Sequence, residues 1–320
     1  MKLIQLHDRG RLRVRHCDQH HFPLPAQHKF PLSKYRLLRD ELSGDHRFLI
    51  QPAELASREA VLAVHDQAYV DGFLGGTLDP AVMRRIGFPW SRELVTRTLA
   101  SAGGTLLAVE TALHSGFGGT LAGGTHHAFR DAGSGFCVFN DIAIAITQAR
   151  AAGKIERAAV VDLDVHQGDG TAAIFDGDSG VFTLSLHGAR NFPFRKQMST
   201  LDIELADQTE DEAYLAALRP ALERVWRFEP QLIVYQAGVD GLSSDRLGRL
   251  SLTCKGLVKR DTLVIAEAHR RGFPLAVTIG GGYSDPIEKT VEAHAQTFRI
   301  AAGIYLGERE SFQPRSAPEL

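Results

Sequence analysis

Apolar and polar positions alternate in the segment 160–170, which reads V-V-D-L-D-V-H-Q-G-D-G. Its polar members at every second position are Asp162, Asp164 and His166. Every second side chain of an extended strand lies on the same face, so the pattern predicts a buried strand with two carboxylates and an imidazole on one side. The alternative is an ordinary core strand whose polar groups are all hydrogen-bonded. It is less favoured, because burying two carboxylates and an imidazole without a cation or other partners costs much free energy. The pattern therefore favours a metal site at the strand end.

Short apolar strand patterns alternate with helical patterns along the rest of the chain. Strands are predicted at 2–6, 181–186, 232–237 and 275–279, and helices at 33–44, 58–73, 91–114, 141–151, 209–226, 253–270 and 286–306. Ser33, Asn140, and Thr209 with Glu212 are of the residue types that cap helix starts. This alternation predicts an α/β fold with one mainly parallel central sheet covered by helices on both faces. No linker or repeat divides the chain, so we expect one domain at 1–320, with a loose polar tail at 307–320.

Composition narrows the class of protein. Hydrophobic residues make up 44% and charged residues 23%, which is typical of a soluble globular chain. The net charge of -2 gives no reason to expect direct binding of nucleic acid through phosphates, and no apolar run is long enough to span a membrane. The start of the chain resembles neither a signal nor a transit peptide. Three widely separated cysteines, Cys17, Cys137 and Cys254, indicate reduced thiols and a cytoplasmic location.

Polar residues follow the ends of the predicted strands. They are Asp164 and His166, then Ser185, Asp240 and Tyr283. Parallel sheets bind ligands beyond the carboxyl ends of their strands, so we expect these residues to meet. Asp164, His166 and Asp240 make three protein ligands with a position left open, the arrangement of a catalytic metal site. The set suits Zn²⁺ and also admits Fe²⁺, Mn²⁺ or Co²⁺.

Candidate proton-transfer groups follow the glycine-rich segment 115–124. His126 and His127 could be structural, but beside a metal triad two adjacent imidazoles favour acid/base chemistry. Asp162 and Asp169 are available to orient their second ring nitrogens. Tyr283 follows three glycines and could donate to an oxyanion, although a tyrosine that covers the core is the ordinary interpretation of an isolated G-G-Y.

Four motifs together resemble the zinc-dependent histone deacetylase family of the arginase/deacetylase superfamily. In chain order they are T-H-H-A-F-R-D-A-G-S-G-F-C-V-F-N-D, V-D-L-D-V-H-Q-G-D-G, A-G-V-D and G-G-G-Y-S. The stretch G-V-D-G-L-S-S-D-R-L-G-R-L-S-L-T, with H-Q-G in place of H-H-G, is most similar to the class IV branch and its bacterial relatives. The resemblance covers about residues 28–306.

The resemblance implies a role for each matching residue. The metal ligands would be Asp164, His166 and Asp240; His127 with Asp169 would serve as general base and then acid; His126 with Asp162 would be the electrostatic partner; and Tyr283 would stabilise the oxyanion. A potassium ion would be bound beside the metal by Asp162, Asp164, His166, Ser185 and Leu186. The acyl-lysine tunnel would be lined by Gly135, Phe136, Phe192 and Leu247. Lys34 stands where many relatives carry arginine, so the resemblance assigns it no role in an internal exit channel.

The function that the resemblance implies is metal-dependent hydrolysis of an N-ε-acyl-lysine amide in a protein or peptide, releasing lysine and a carboxylate. One alternative is the deacetylation of acylated small amines such as acetylpolyamines. A two-metal ureohydrolase is less favoured, because Leu242 stands where a second metal would require a carboxylate. A silent module that binds acyl-lysine is also less favoured, because every motif residue is present. The sequence predicts neither the acyl-chain length nor the oligomeric state.

Overall fold

The computed structural model describes residues 10–307. Within that range the strands are β1 (Leu12–His16), β2 (Phe48–Pro52), β3 (Phe117–Thr120), β4 (Ala158–Asp162), β5 (Val181–Gly188), β6 (Leu201–Leu205), β7 (Leu232–Gln236) and β8 (Leu275–Thr278). The helices are α1 (Ser33–Ser43), α2 (Arg58–Leu62), α3 (Gln67–Gly75), α4 (Pro80–Ile86), α5 (Arg92–Ser115), α6 (Asp141–Ala151), α7 (Asp169–Ile174), α8 (Asp211–Arg227), α9 (Cys254–Arg271) and α10 (Glu288–Tyr305).

One eight-stranded sheet organises the described residues, and all its neighbouring strands are parallel. Its strand order is β2-β1-β3-β8-β7-β4-β5-β6. The predicted α/β fold with a mainly parallel sheet is confirmed. Because the strands run the same way, all their carboxyl ends lie at one edge, and the residues that follow the central strands are neighbours there.

Strand β4 is apolar on both faces, and helices cover the sheet on both sides. Ala159 and Val161 belong to an apolar cluster that includes residues of α8, α9 and α10. Ala158 and Val160 belong to a second cluster that includes residues of α5 and α6. A fully buried valine or leucine stabilises the fold by about 1.5–3 kcal/mol, so a strand that is apolar on both faces is stable only between two helical layers.

The segment 160–170 is not one continuous strand, which corrects the prediction. Strand β4 ends at Asp162, and Asp164 and His166 lie in the loop before α7. The backbone N–H of Asp164 donates to Asp162 Oδ1 at 3.2 Å, and that of His166 donates to Asp164 Oδ1 at 3.0 Å. These backbone N–H groups thus donate to side-chain carboxylates and not to a neighbouring strand, which ends the strand at Asp162.

Helix starts were predicted with mixed success. Asn140 caps α6 as predicted and accepts a hydrogen bond from the N–H of Ala143. Ser91, predicted as the first residue of its helix, instead caps α5 and accepts from the N–H of Leu94. Ser33 is wrong as a cap, because it is the first residue of α1 and makes no capping hydrogen bond there. The capping box at Thr209 is also wrong, because α8 begins only at Asp211 and the Thr209 hydroxyl donates back to the carbonyl of Ala206.

The predicted helix at 58–73 is two helices, α2 and α3. The interruption contains His65, whose Nδ1 lies 2.8 Å from the carbonyl oxygen of Phe129 and whose Nε2 accepts from the N–H of Asn140. The prediction missed β1, β2, β3 and β6. The predicted strand at 2–6 and most of the predicted tail lie outside the described residues. No helix between residues 10 and 307 is both long and apolar enough to cross a membrane.

Candidate active site

A cavity of about 470 Å³ opens at the carboxyl edge of the sheet. The loops after β3, β4, β7 and β8 contribute His127, His166, Asp240 and Tyr283 to its wall. Strands β8, β7 and β4 are adjacent in the sheet, and therefore segments more than one hundred residues apart in sequence meet at one point.

Three side chains could hold a metal ion in this cavity. One ligand atom from each of Asp164, His166 and Asp240 lies within 4.8 Å of the others. The Nδ1 atom of His166 is 3.0 Å from Asp164 Oδ1 and 3.1 Å from Asp240 Oδ2. Bonds of about 2.0 Å in a tetrahedral zinc site place the ligand atoms about 3.3 Å apart, so the donor set and its spacing fit a catalytic metal.

The remaining carboxylate oxygens are held by neighbouring donors. Gly281 N–H and Gln236 Nε2 donate to Asp164 Oδ2 at 2.7 and 3.1 Å, and Val165 N–H donates to Asp240 Oδ1 at 2.9 Å. A Cβ atom at position 281 would lie 1.9 Å from Asp240 Oδ2, so only glycine allows this close approach. These contacts fix the orientation of both carboxylates before any ion is bound.

The carboxylates of the triad create a negative potential that shifts the pKa values of their neighbours. Asp164 and Asp240 are 1% and 0% exposed. Burial together with the charge of Asp164 raises the pKa of Asp240 to about 7. Burial disfavours an imidazolium at His166, but the two carboxylates outweigh it and raise its pKa to about 10. A bound divalent cation would neutralise this potential.

The two histidines differ in charge although they are adjacent. His126 Nδ1 lies 2.7 Å from Asp162 Oδ2, and His127 Nδ1 lies 2.6 Å from Asp169 Oδ1. Burial disfavours the charged form of both rings. At His126 the carboxylates of Asp162 and Asp164 overcome burial and raise the pKa to about 9. At His127 burial and the charge of His126 lower the pKa to about 4. His127 is therefore the ring that is free to accept a proton at neutral pH.

Tyr283 lies in the cavity wall on the loop after β8. Its N–H donates to Asp245 Oδ2 at 2.6 Å and its carbonyl accepts from Arg246 Nε at 3.1 Å, so its backbone is held independently of its phenol. Lys34 is buried, and its Nζ lies 5.3 Å from the centre of the Tyr283 ring and donates to the carbonyl of Gly280 at 3.0 Å. Burial lowers the pKa of Lys34 to about 8.

All four residues predicted for the tunnel line the cavity. They are Gly135, Phe136, Phe192 and Leu247. Phe136 has φ 66°, a left-handed conformation that costs a non-glycine residue roughly 1–2 kcal/mol. The rings of Phe192 and His127 are 4.9 Å apart and nearly perpendicular.

Sequence reasoning missed the part of the cavity wall that comes from the first hundred residues. It includes Phe22, Phe30, Tyr35, Phe88, Leu94 and Arg97. Phe30 and Phe136 both pack against Phe88, at ring distances of 4.9 and 5.3 Å. These residues come from loops and from α1 and α5, and no local pattern distinguishes them from ordinary core residues.

The residues predicted to hold potassium lie on β4, on the neighbouring strand β5 and in the loop after β4. Asp162 and Ser185 are paired in register. Ser185 Oγ is 2.9 Å from His187 Nδ1, and Leu186 is fully buried. The strand pairing therefore places Asp162 next to Ser185, and the binding of potassium by the five residues stays a prediction.

Comparison with known proteins agrees with this geometry. Residues 27–298 match the family model described as the histone deacetylase domain. The chain is 45% identical over 289 residues to an uncharacterized protein of Picosynechococcus, covering 88% of this chain and 96% of that protein. It is 30% identical to histone deacetylase 2 of Arabidopsis thaliana, covering 80% of this chain and 70% of that protein. It is 34% identical to a histone deacetylase-like amidohydrolase of Pseudomonas aeruginosa, covering 82% and 74%.

A solved structure supports the fold. The crystal structure of the HDA15 HD domain aligns with a TM-score of 0.74 at 21% identity and covers 92% of this chain and 91% of that chain. At that identity the likeness concerns the fold alone.

Proposed function

The chain belongs to the histone deacetylase family, and from that premise we propose that it is a metal-dependent hydrolase of N-ε-acyl-lysine amides. One observation carries the proposal. The Asp164, His166 and Asp240 triad shares a cavity with a neutral histidine, His127, and with Tyr283. A metal position, a base and an oxyanion donor facing one space are the parts that amide hydrolysis requires.

The chemistry divides among the residues of the cavity. When bound at the triad, Zn²⁺ or Fe²⁺ would supply Lewis acidity toward water and a substrate carbonyl. His127, held through Nδ1 by Asp169, accepts a proton on Nε2 from the attacking water and then protonates the leaving lysine amine. The Tyr283 hydroxyl donates to the oxyanion, and the charged His126 stabilises it electrostatically. Gly135, Phe136, Phe192 and Leu247 enclose the acyl-lysine side chain.

Finer features are part of the same proposal. Potassium, bound by Asp162, Asp164, His166, Ser185 and Leu186, would offset the carboxylate charge beside the triad. The H-Q-G motif and the segment 238–253 favour a class IV-like enzyme of bacterial type, and the cysteine pattern favours the cytoplasm. Among residues 10–307, this triad is the only group of three or more side chains placed to hold a metal ion together. That finding disfavours a two-metal ureohydrolase, which needs a second set of carboxylates.

The test is an acyl-chain panel with and without chelator. The metal-loaded chain is assayed on peptides that carry acetyl-, butyryl-, octanoyl- or myristoyl-lysine, and the metal content is measured by elemental analysis. We expect turnover of at least one peptide, its loss with chelator, and one metal per chain. Two metals per chain would favour the ureohydrolase, and no turnover of any peptide would favour a binding module.

The variant Tyr283→Phe separates catalysis from binding. Removing one oxyanion donor should lower kcat by roughly 10²–10³-fold. The backbone contacts of Tyr283 do not involve the hydroxyl, so metal content and thermal stability should stay close to those of the unmodified chain. A variant with nearly unchanged kcat would refute the oxyanion role.

A further inference from the structure

The mouth of the cavity is positively charged although the chain as a whole carries a net charge of -2. The exposed residues among those lining the cavity are Arg85, Arg190, Arg249 and Phe194. The carboxylates that line it are Asp164 and Asp240, and both are buried at the metal triad. A ligand at the mouth therefore meets guanidinium groups first.

The charge of these arginines is only partly compensated. Arg190 and Arg249 share one carboxylate, that of Asp207, at 3.6 and 3.2 Å. Their side chains are 76% and 51% exposed. Arg85 donates to a neutral group, the carbonyl of Gly133, at 3.3 Å. Three guanidinium groups thus face solvent around the opening with one shared carboxylate partner.

The segments that carry Arg190 and Arg249 are held together by a buried side chain. Asn191 Nδ2 donates to the carbonyl of Leu247 at 2.9 Å, and Asn191 Oδ1 accepts from the N–H of Arg249 at 3.2 Å. Asn191 is 3% exposed. The backbones that carry the two arginines are therefore held relative to each other before a ligand arrives, so less conformational entropy is lost when both side chains bind one.

We propose that this arginine rim selects acyl-lysines in acidic sequence surroundings and disfavours acylated polyamines. The inference rests on the proposed function and names its substrate class. Residues flanking an acyl-lysine in the cavity must pass within a few ångströms of the mouth, inside the screening length of about 8 Å at physiological salt. Acidic flanks are attracted to the rim, whereas an acylated polyamine brings its unacylated ammonium groups to it and is repelled.

The test compares peptides that differ only in their flanks. One acyl-lysine peptide is made with aspartate, glutamine or lysine at the two positions on each side, and N8-acetylspermidine represents the polyamines. We expect kcat/KM to be about tenfold higher for the aspartate peptide than for the lysine peptide at low salt, with the difference nearly lost at about 1 M salt. Equal values for the three flanks, or a preference for N8-acetylspermidine, would overturn the proposal.

Charge reversal identifies the residues responsible. Arg190→Glu with Arg249→Glu should abolish or invert the preference, and the milder Arg190→Gln should reduce it if the double variant does not fold. The matched control is Arg270→Glu, because Arg270 is 63% exposed at the end of α9 and lies at the opposite edge of the sheet. The control should keep the full preference, and an equal loss in it would exclude the rim as the cause.

Binding measured without turnover keeps the two proposals separate. Fluorescence anisotropy of labelled peptides in the presence of chelator, where no turnover is expected, gives Kd for each flank. Tighter binding of the aspartate peptide without hydrolysis would support the rim and reject the proposed hydrolase activity. Hydrolysis with no dependence of Kd or kcat/KM on the flanks would support the hydrolase activity and reject the role of the rim.

Discussion

Individual charges in the cavity are set by neighbouring side chains more than by residue type. His126 and His127 are both buried and each is paired with an aspartate, yet their pKa values shift in opposite directions. His126 lies near Asp162 and Asp164 and takes up the proton, and its charge then opposes a second one on His127. The distance of 4.1 Å between the two ring centres makes this coupling strong.

The variant His126→Gln should shift the pH dependence of activity. Glutamine can still donate to Asp162 but carries no charge, so the pKa of His127 should rise from about 4 toward its ordinary value. Because His127 must be neutral to accept a proton, the acid limb of kcat/KM should move to higher pH by about one unit or more. The measurement is the pH profile of kcat/KM from pH 4 to 9.

The exposed His114 at the end of α5 provides the control for that profile. His114→Gln should leave the acid limb in place. An unchanged limb in His126→Gln, or one that moves to lower pH, would contradict the charge assigned to His126.

Among the secondary-structure elements, α5 packs closely against the loop after β2, and α9 holds two loops of the cavity. Helix α5 contains Gly103, and a Cβ atom there would lie 1.8 Å from the carbonyl oxygen of Glu54. Helix α9 carries Arg260, which is 1% exposed and donates to the carbonyls of Leu163 and Gly238 at 3.3 and 2.6 Å. Leu163 precedes Asp164, and Gly238 lies two residues before Asp240, so Arg260 braces both ligand loops.

Two glycine substitutions in helices should have effects of opposite sign. Gly103→Ala forces a steric overlap and should lower the free energy of unfolding by about 1–3 kcal/mol or more. Gly303 lies in α10 with open space where its Cβ would be, so Gly303→Ala should raise the free energy of unfolding by about 0.5–1 kcal/mol. Urea denaturation measures both. If both substitutions raised the free energy of unfolding, helix propensity and not packing would govern position 103.

Arg260→Met should weaken both the fold and the metal site. It leaves the carboxylate of Asp261 buried with only the hydroxyls of Tyr235 and Thr297 as partners. Breaking a buried ion pair costs about 3–5 kcal/mol, and loss of a bracing contact typically weakens metal binding by about 10–100-fold. The exposed neighbour Lys259→Met serves as the control. Unfolding curves and competitive zinc titrations measure the two effects, and equal results for both variants would contradict the bracing role.

At the scale of the whole molecule, the site depends on one sheet that brings distant segments to a common edge. The strand order makes β8, β7 and β4 neighbours, and their following loops then carry Tyr283, Asp240 and Asp164 into one cavity. Two carboxylates buried this close repel each other. A cation between them should therefore stabilise the folded chain as a whole.

Zinc should raise the melting temperature of the chain without any substrate present. A metal that binds only the folded state adds about 2.7 kcal/mol of stability at a free concentration one hundred times its Kd. Differential scanning fluorimetry with zinc and with chelator measures the shift. Asp240→Asn removes the charge of one ligand, so this variant should lose most of the zinc-induced shift in melting temperature. An equal shift in that variant would place the zinc elsewhere on the protein.

Local patterns in the sequence were sufficient for the fold class, for most helices and for the strand ends that precede Asp164, Asp240 and Tyr283. The reason is that side-chain periodicity reports burial, and polar groups interrupting a buried run are too costly to occur without a partner. The motif residues Asp164, His166, Asp240 and Tyr283 could be assigned candidate roles on that basis, and His126 and His127 because two adjacent imidazoles accompany the metal triad. Polar and glycine-rich strands such as β1 and β3 were missed because their patterns do not differ from those of loops.

The strand order, much of the cavity wall and the contacts of Arg260 were decided by packing between residues far apart in sequence. The sequence contains no local signal that β8 lies between β3 and β7, that Phe22 and Phe88 line the cavity, or that Arg260 braces two ligand loops. The opposite charges of two adjacent histidines and the arginine rim also depend on which side chains approach through space. Such contacts join residues far apart in sequence, and their energies depend on burial and distance, which are defined only in the folded chain.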